Sequence, residues 1–449
     1  MKRSDRFILI VLAVLLGLIL ILLIQGDRAG VKVTAVIPAE GEQVGVYGPI
    51  GIQFSNPVDK ASAESHFSTT PSVAGSFEWE EDILWFFPDT ALDPDQEFLL
   101  SLSAGMKSAD GRELVESQQW SVSIRSPDIL YLVLGEHGGD LWRWDTIRQM
   151  AHELTDTGGL VIDFSPSQSG EWIVYAAENG EGGSDLWVVD RNGNENTLLL
   201  SCGLDYCSQP DWSPDGAWIA YVRQFYNPDT QHLQAVRVWT VNVETKDTAP
   251  LYQDDEAYGQ MPSFSPDGQK LASYDIVHNG IRVLDLATSQ ESIIPSSIQE
   301  MADWSADGKR LLFIDLVPSA LEPEVTVYIA DLENETVLPV LGGTLEGASF
   351  SQPRWSPDGE WIAISLRPIN ASMNRALWVL KLDGSESIPI GFEPSATYSA
   401  FQWEPWGGGL VYQRLSIGAG FDSSIWIWDR EIDDNLQLIK NGARPQWLP

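Results

Sequence analysis

The sequence predicts an all-β chain: an N-terminal transmembrane helix, a β-sandwich, then a seven-bladed β-propeller closed by the C-terminal strand. Six or eight blades are the alternatives. Three observations carry this. Residues 7–24, FILIVLAVLLGLILILLI, form an apolar run of eighteen residues without a charge. Residues 31–126 hold short strand-like runs and no long helical period. From residue 127 to 449, an aromatic side chain recurs at Phe164, Trp212, Phe264, Trp304, Trp355, Trp403 and Trp447, with spacings between 40 and 52 residues.

The apolar run comes first in the chain. As a helix it would span roughly 27 Å, close to the hydrocarbon thickness of a bilayer. Lys2, Arg3 and Arg6 precede it, so residues 1–6 are expected in the cytoplasm and the bulk of the chain outside it. The expected location is therefore the cell membrane, as a single-pass protein. A cleaved signal peptide, leaving a secreted chain, is the competing reading, although QGDRAG offers no small-x-small cleavage site. With 64 acidic and 27 basic side chains, the formal charge is −37. That excludes nucleic acid as a main partner, because no cationic surface is available to neutralise phosphate. It suits a well-hydrated surface, or one that draws cations or basic partners. The two cysteines, Cys202 and Cys207, would need further ligands to form a metal site, and the nearest histidine in sequence, His232, lies in no recognisable pattern; they are a disulfide candidate.

Behind the run, VKVTAVIPA, GPIGIQFS, SFEWEEDILWFFP, EFLLSLSAG and QQWSVSIRS are rich in Val, Ile, Phe and Trp. Pro, Gly, Asn and Asp separate them, which points to about seven short strands in a sandwich. VIPAEGEQV, IQFSNPVD and the stretch from GSFEWEED to GMKSADG resemble the bacterial Ig-like domain of cell-surface proteins. The resemblance covers nearly all of residues 31–126 and implies a spacer, or a display of loops to a partner.

The recurring unit of residues 127–449 reads PDWSPDGAWIAYV, PSFSPDGQKLASY, ADWSADGKRLLFI and PRWSPDGEWIAIS. A strand ends at the aromatic, S-P-D-G turns the chain, and an apolar strand follows. Pro fixes φ, Asp bonds back to backbone N–H groups, and Gly accepts positive φ. The aromatic is a wedge to bury between adjacent blades. Each part has a turning or packing role, so the motif reads as architecture. These copies resemble the WD40-like repeat of TolB-type β-propellers, a unit also found in the propellers of prolyl-oligopeptidase-type proteins. Ser167–Ser169 and Trp403–Trp406 depart from the motif, so remodelled turns are expected there. ARPQWLP at the C-terminus matches the missing first strand of the first blade and is expected to complete it.

No G-x-S-x-G, no H-E-x-x-H and no glycine-rich phosphate loop occurs, and no hydrolase domain is expected after Pro449. The chain is therefore expected not to be an enzyme, and no cofactor or metal is expected. Asp190, Asn192 and Asn194 in DRNGNEN read as a hairpin turn, since the glycine stands at the fourth position of the would-be calcium loop and no glutamate follows at the twelfth. One constellation invites a binding role. The residues before the seven aromatics are Asp163, Asp211, Ser263, Asp303, Arg354, Gln402 and Gln446, all polar on strands where apolar residues would pack easily. Either they face a water-filled channel, or they bind a cation, a sugar or a partner's inserted segment. The resemblance to TolB-type propellers implies a scaffold that meets a protein partner of the cell envelope. A glycan-binding or glycan-cleaving protein and a passive spacer are the alternatives.

Overall fold

The computed structural model describes residues 31–135, 138–252, 258–317, 324–340, 348–368, 374–417 and 422–449. The chain forms two compact units: residues 31–44, 49–89 and 94–124 in the first, and 45–48, 90–93 and 125–449 in the second. The expected membrane helix at 7–24 lies outside the described residues. Among the described residues no helix is long and apolar enough to cross a membrane. The helix Lys60–His66 has seven residues, a reach of about 10 Å where a span needs about 30 Å. The expectations of a transmembrane element in the fold and of a single-pass membrane location are corrected accordingly.

The first unit is two four-stranded sheets. One orders Val33–Ile37, Ile50–Phe54, Ile83–Pro88 and Gly75–Glu80; the other orders Gln43–Val44, Gln118–Ile124, Phe98–Leu102 and Phe67–Thr70. Alternation along these strands puts Ile50, Ile52, Leu84, Phe86, Phe98, Leu100 and Leu102 inside. Phe67 of one sheet packs against Phe86 of the other, with ring centroids 5.0 Å apart. The helix Lys60–His66 was not among the strands expected here. Asp59 starts it by accepting from the Ser62 amide at 3.1 Å, a standard N-cap.

In the second unit, each repeat contributes antiparallel strands in chain order. A representative group is Ala348–Trp355, Trp361–Pro368, Ala376–Lys381 and Ser387–Gly391. The C-terminal strand Gly442–Leu448 pairs with Asp128–Leu134, antiparallel. The expectation of seven separate blades closed into a ring is corrected by the pairing. Four sheets of four strands stand apart, but twelve strands join in one sheet, and no closed ring is traced among the described residues. The cause of the fusion is local: Gly139 pairs with Val161, and Ser184 with Tyr206, linking neighbouring repeats through single positions.

The S-P-D-G turns are built alike. The Asp215, Asp267, Asp307 and Asp358 carboxylates accept from backbone amides two residues on, at 2.9–3.2 Å. The serine at the head of each turn accepts from the amide five residues on, as in Ser356 Oγ with Trp361 N at 2.9 Å. It also donates its hydroxyl to the turn carboxylate, as Ser213 does to Asp215. Gly359 has φ +71°, which a side chain disfavours. The two departing turns keep the shape: Gly170 N bonds Ser167 O at 2.9 Å, and Gly407 N bonds Glu404 O at 2.8 Å. Cys202 and Cys207 form a disulfide across the connection that enters strand Tyr206–Trp212.

A buried charge cluster ties the first repeat to the second. Asp128 accepts from Arg143 at 3.2 Å and from Arg191 at 2.9 Å. Arg191 is only 4% exposed, so it cannot recover hydration if its partner is lost. Asp128→Asn should lower unfolding stability by about 3 kcal/mol, read as a lowered denaturant midpoint with an unchanged m-value. A loss below about 1 kcal/mol would show that water or another carboxylate replaces the pair.

Candidate functional site

The strands that carry the repeat aromatics also carry a bulge. Register shifts fall just before Asp211, Ser263, Arg354, Gln402 and Gln446. At each of them a non-glycine residue takes positive φ: Gln209, Met261, Gln352, Ala400 and Arg444, between +45° and +54°. The next residue is Pro210, Pro262, Pro353, Phe401 or Pro445. Proline fits because a bulge position has no ladder bond to donate. A bulge re-aims the side chains that follow it. The result is convergence: Asp163, Asp211, Ser263, Asp303, Arg354, Gln402 and Gln446 all line one cavity of about 580 Å³.

Most of these side chains also hold neighbouring repeats together. Asp211 accepts from Phe264 N at 2.9 Å, Asp303 from Trp355 N at 2.7 Å, and Gln402 from Trp447 N at 2.8 Å. In each case the donor is the aromatic residue of the next repeat. The bulge amides are met similarly. Met261 N donates to Gln209 Oε1 at 2.8 Å, and Gln352 N to Glu300 Oε2 at 2.8 Å. In the opposite direction, the indoles of Trp212, Trp304 and Trp403 donate to Ser165 O, Ser263 O and Arg354 O at 3.1–3.2 Å. Six of the seven aromatics are buried; Phe264 is half-buried. Sequence reasoning named the cavity residues but missed this stapling, and it missed Gln209, Glu300, Met301 and Arg444 altogether. The signal it could have used is the position two residues ahead of each polar one, where Gln209, Met261, Met301, Gln352, Ala400 and Arg444 stand.

The charges in the cavity are unevenly compensated. Arg444 reaches Asp163 at 2.5 Å, and Arg354 reaches Asp303 at 3.0 Å. Among the described residues, no group of three or more His, Cys, Asp or Glu side chains is placed to hold a metal ion. Burial raises the carboxyls of Asp211 and Asp303, and for Asp211 the value reaches about 7, against the bonds from Phe264 and Ser165 that lower it. The folded chain thus keeps a proton on Asp211 that the unfolded chain sheds near pH 4. This group therefore makes stability fall as pH rises from about 4 to 7. Asp211→Asn retains an oxygen for Phe264 N and removes the titration. Its stability relative to the wild type should improve by about 2–3 kcal/mol between pH 5 and pH 8, measured by denaturant unfolding at both. A difference that stays constant with pH would refute the raised value.

Residues 27–123 match the family model described as a bacterial Ig-like domain. An uncharacterised protein of Agrobacterium fabrum is 25% identical over 272 residues, 56% of this chain and 84% of the relative. An uncharacterised peptidase of Bacillus subtilis is 24% identical over 184 residues, 40% of this chain and 25% of that protein. Dipeptidyl-peptidase 5 of Porphyromonas gingivalis is 22% identical over 213 residues, 43% of this chain and 30% of that protein. The matches thus span under a third of either peptidase. Among solved structures, a puromycin-hydrolysing peptidase of Mycobacterium tuberculosis superposes with TM-score 0.54 at 13% identity, over 78% of this chain and 53% of that one. Oligogalacturonate lyase of Vibrio parahaemolyticus gives 0.50 at 14%, over 70% and 87%. TolB of Acinetobacter baumannii gives 0.43 at 19%, over 72% and 82%. The expectation that the chain is not an enzyme is overturned here. Relatives named as peptidases match 40% and 43% of the chain, and the lack of a G-x-S-x-G motif excludes only chemistry that uses that motif. Residues 27–123 thus match a bacterial Ig-like domain, and the repeat region shares its fold with the lyase and peptidase structures that superpose at TM-scores of 0.50 and 0.54.

Proposed function

We propose that the protein holds polypeptide segments of a partner in the cavity of its propeller. The observation that carries this is the convergence of the seven polar side chains on one cavity of about 580 Å³. Its wall offers donors from Arg354 and Arg444, acceptors from Asp163 and Asp211, and amides from Gln402 and Gln446 that do both. An extended peptide needs that mixture, because its backbone alternates N–H and C=O groups. Because the stapling bonds fix several wall residues before a ligand arrives, less order is lost on binding. An acidic saccharide is disfavoured by a formal charge of −37. Relatives named as peptidases, which act on polypeptide, support the same ligand class.

Those relatives also motivate a second reading, that the bound peptide is cut. One experiment addresses both. The full chain is immobilised, exposed to a defined mixture of unstructured ten-residue peptides, and both fractions are analysed by mass spectrometry. Ser263→Phe, which places a ring at the cavity wall, is run beside it. The expected result is a subset of peptides retained by the wild type and depleted about tenfold on the variant, a loss of the size that hot-spot contacts produce. New peptide termini in the wild-type sample would establish cleavage. Equal retention by both proteins would place binding elsewhere and overturn the cavity reading.

A further inference from the structure

Five formally charged side chains line the cavity: Asp163, Asp211, Asp303, Arg354 and Arg444. Two pairs neutralise each other, Asp163 with Arg444 and Asp303 with Arg354. Asp211 is left over. Its carboxylate accepts from Phe264 N and has the Ser165 hydroxyl beside it, both neutral groups, and among the described residues no basic side chain forms an ion pair with it. Held at a cavity wall with only neutral donors, this carboxyl keeps its proton to about pH 7 and, once ionised, has no basic side chain to meet its charge.

The surroundings restrict what can supply that charge. No further acidic, histidine or cysteine group stands close enough to complete a metal site among the described residues. Beside Asp211 the polar Ser165, Gln209 and Ser263 share the wall with an apolar strip. Pro210 adjoins it in sequence, and Met261 and Pro262 are brought alongside by the bonds from Met261 N to Gln209 and from Phe264 N to Asp211. A compact acid next to an apolar strip matches a long side chain with a charged tip, since the methylene stem of lysine or arginine covers apolar surface while its head seeks an anion. Methionine and proline walls accept such stems without demanding one shape. The overall charge of −37 would draw cationic segments toward the protein before contact.

We infer that the cavity selects polypeptide segments carrying a lysine or arginine, whose cationic head pairs with Asp211 while its stem lies along Met261 and Pro262. This rests on the polypeptide reading above and narrows it to cationic segments. The test uses the full chain at pH 8 and a fluorescent ten-residue Gly-Ser peptide with one central lysine. A second peptide carries acetyl-lysine at that position, which keeps the stem and removes the charge. Anisotropy titration should show the lysine peptide binding roughly tenfold more tightly, as expected of a charge-assisted bond at a half-buried site. Asp211→Asn should erase that preference, while Met261→Ala should weaken both peptides. Equal affinity for the two peptides would overturn the cationic selection and leave polypeptide binding standing. No binding of either peptide would overturn both. The comparison of the two peptides on the wild-type chain decides the matter even if Asp211→Asn does not fold.

Discussion

On the inner strands, the backbone N–H groups of Phe264, Trp355 and Trp447 are met by side chains of the preceding repeat, and a buried amide without an acceptor is costly. Much of the second unit follows from how this demand is met. Asp211, Asp303 and Gln402 each give an oxygen to the aromatic residue of the following repeat, and Gln209 and Glu300 do the same for the bulge. The tryptophans return a bond in the opposite direction. Repeats are thus held at their inner edge by directional bonds, and elsewhere by side-chain packing such as that of Trp355 with Ile314, Ile362 and Ile364.

The same residues that satisfy the edges shape the cavity, so structure and binding share side chains. A polar wall assembled for ligand alone would pay to order itself. Here Asp303 and Gln402 are already fixed by the amides they serve, and their remaining polar atoms are presented in set directions. Asp211 differs because its charge, unlike that of Asp163 or Asp303, is not matched by an arginine. A frame with one carboxyl that no arginine meets is a selective arrangement, because that group alone is left to seek a cation once it ionises.

Legibility in the sequence followed the range of the interaction. The S-P-D-G turn could be read because Asp358 and Glu360, or Asp215 and Ala217, are two residues apart. The serine's part in it was overlooked, although Ser356 and Trp361 are only five apart, because turn chemistry is usually read from Pro, Asp and Gly. The strands of the Ig-like domain were legible by alternation, but the helix Lys60–His66 was not, being short and started by a single cap at Asp59. The polar residues before the aromatics were recognisable as a set. Their partners were not, since Asp211 serves Phe264 at a separation of 53 residues and Asp303 serves Trp355 at 52. Nor could a pattern of apolar strands reveal that Gly139 with Val161, and Ser184 with Tyr206, would fuse three repeats into one sheet.

The direction of the staples has a bearing on how such a chain can grow. A repeat that includes Asp303 brings an acceptor for its successor, and its own Trp304 indole answers to its predecessor. A gene segment copied whole would therefore arrive with both halves of the joint and would leave no orphaned amide at either seam. Such copying keeps the joint where the residue before the aromatic accepts from its successor, as Asp211, Asp303 and Gln402 do, while a copy that begins or ends inside a repeat breaks it. Recombination that respects the aromatic-to-aromatic period is the kind this architecture tolerates, and bonds spanning about fifty residues make that period the heritable module.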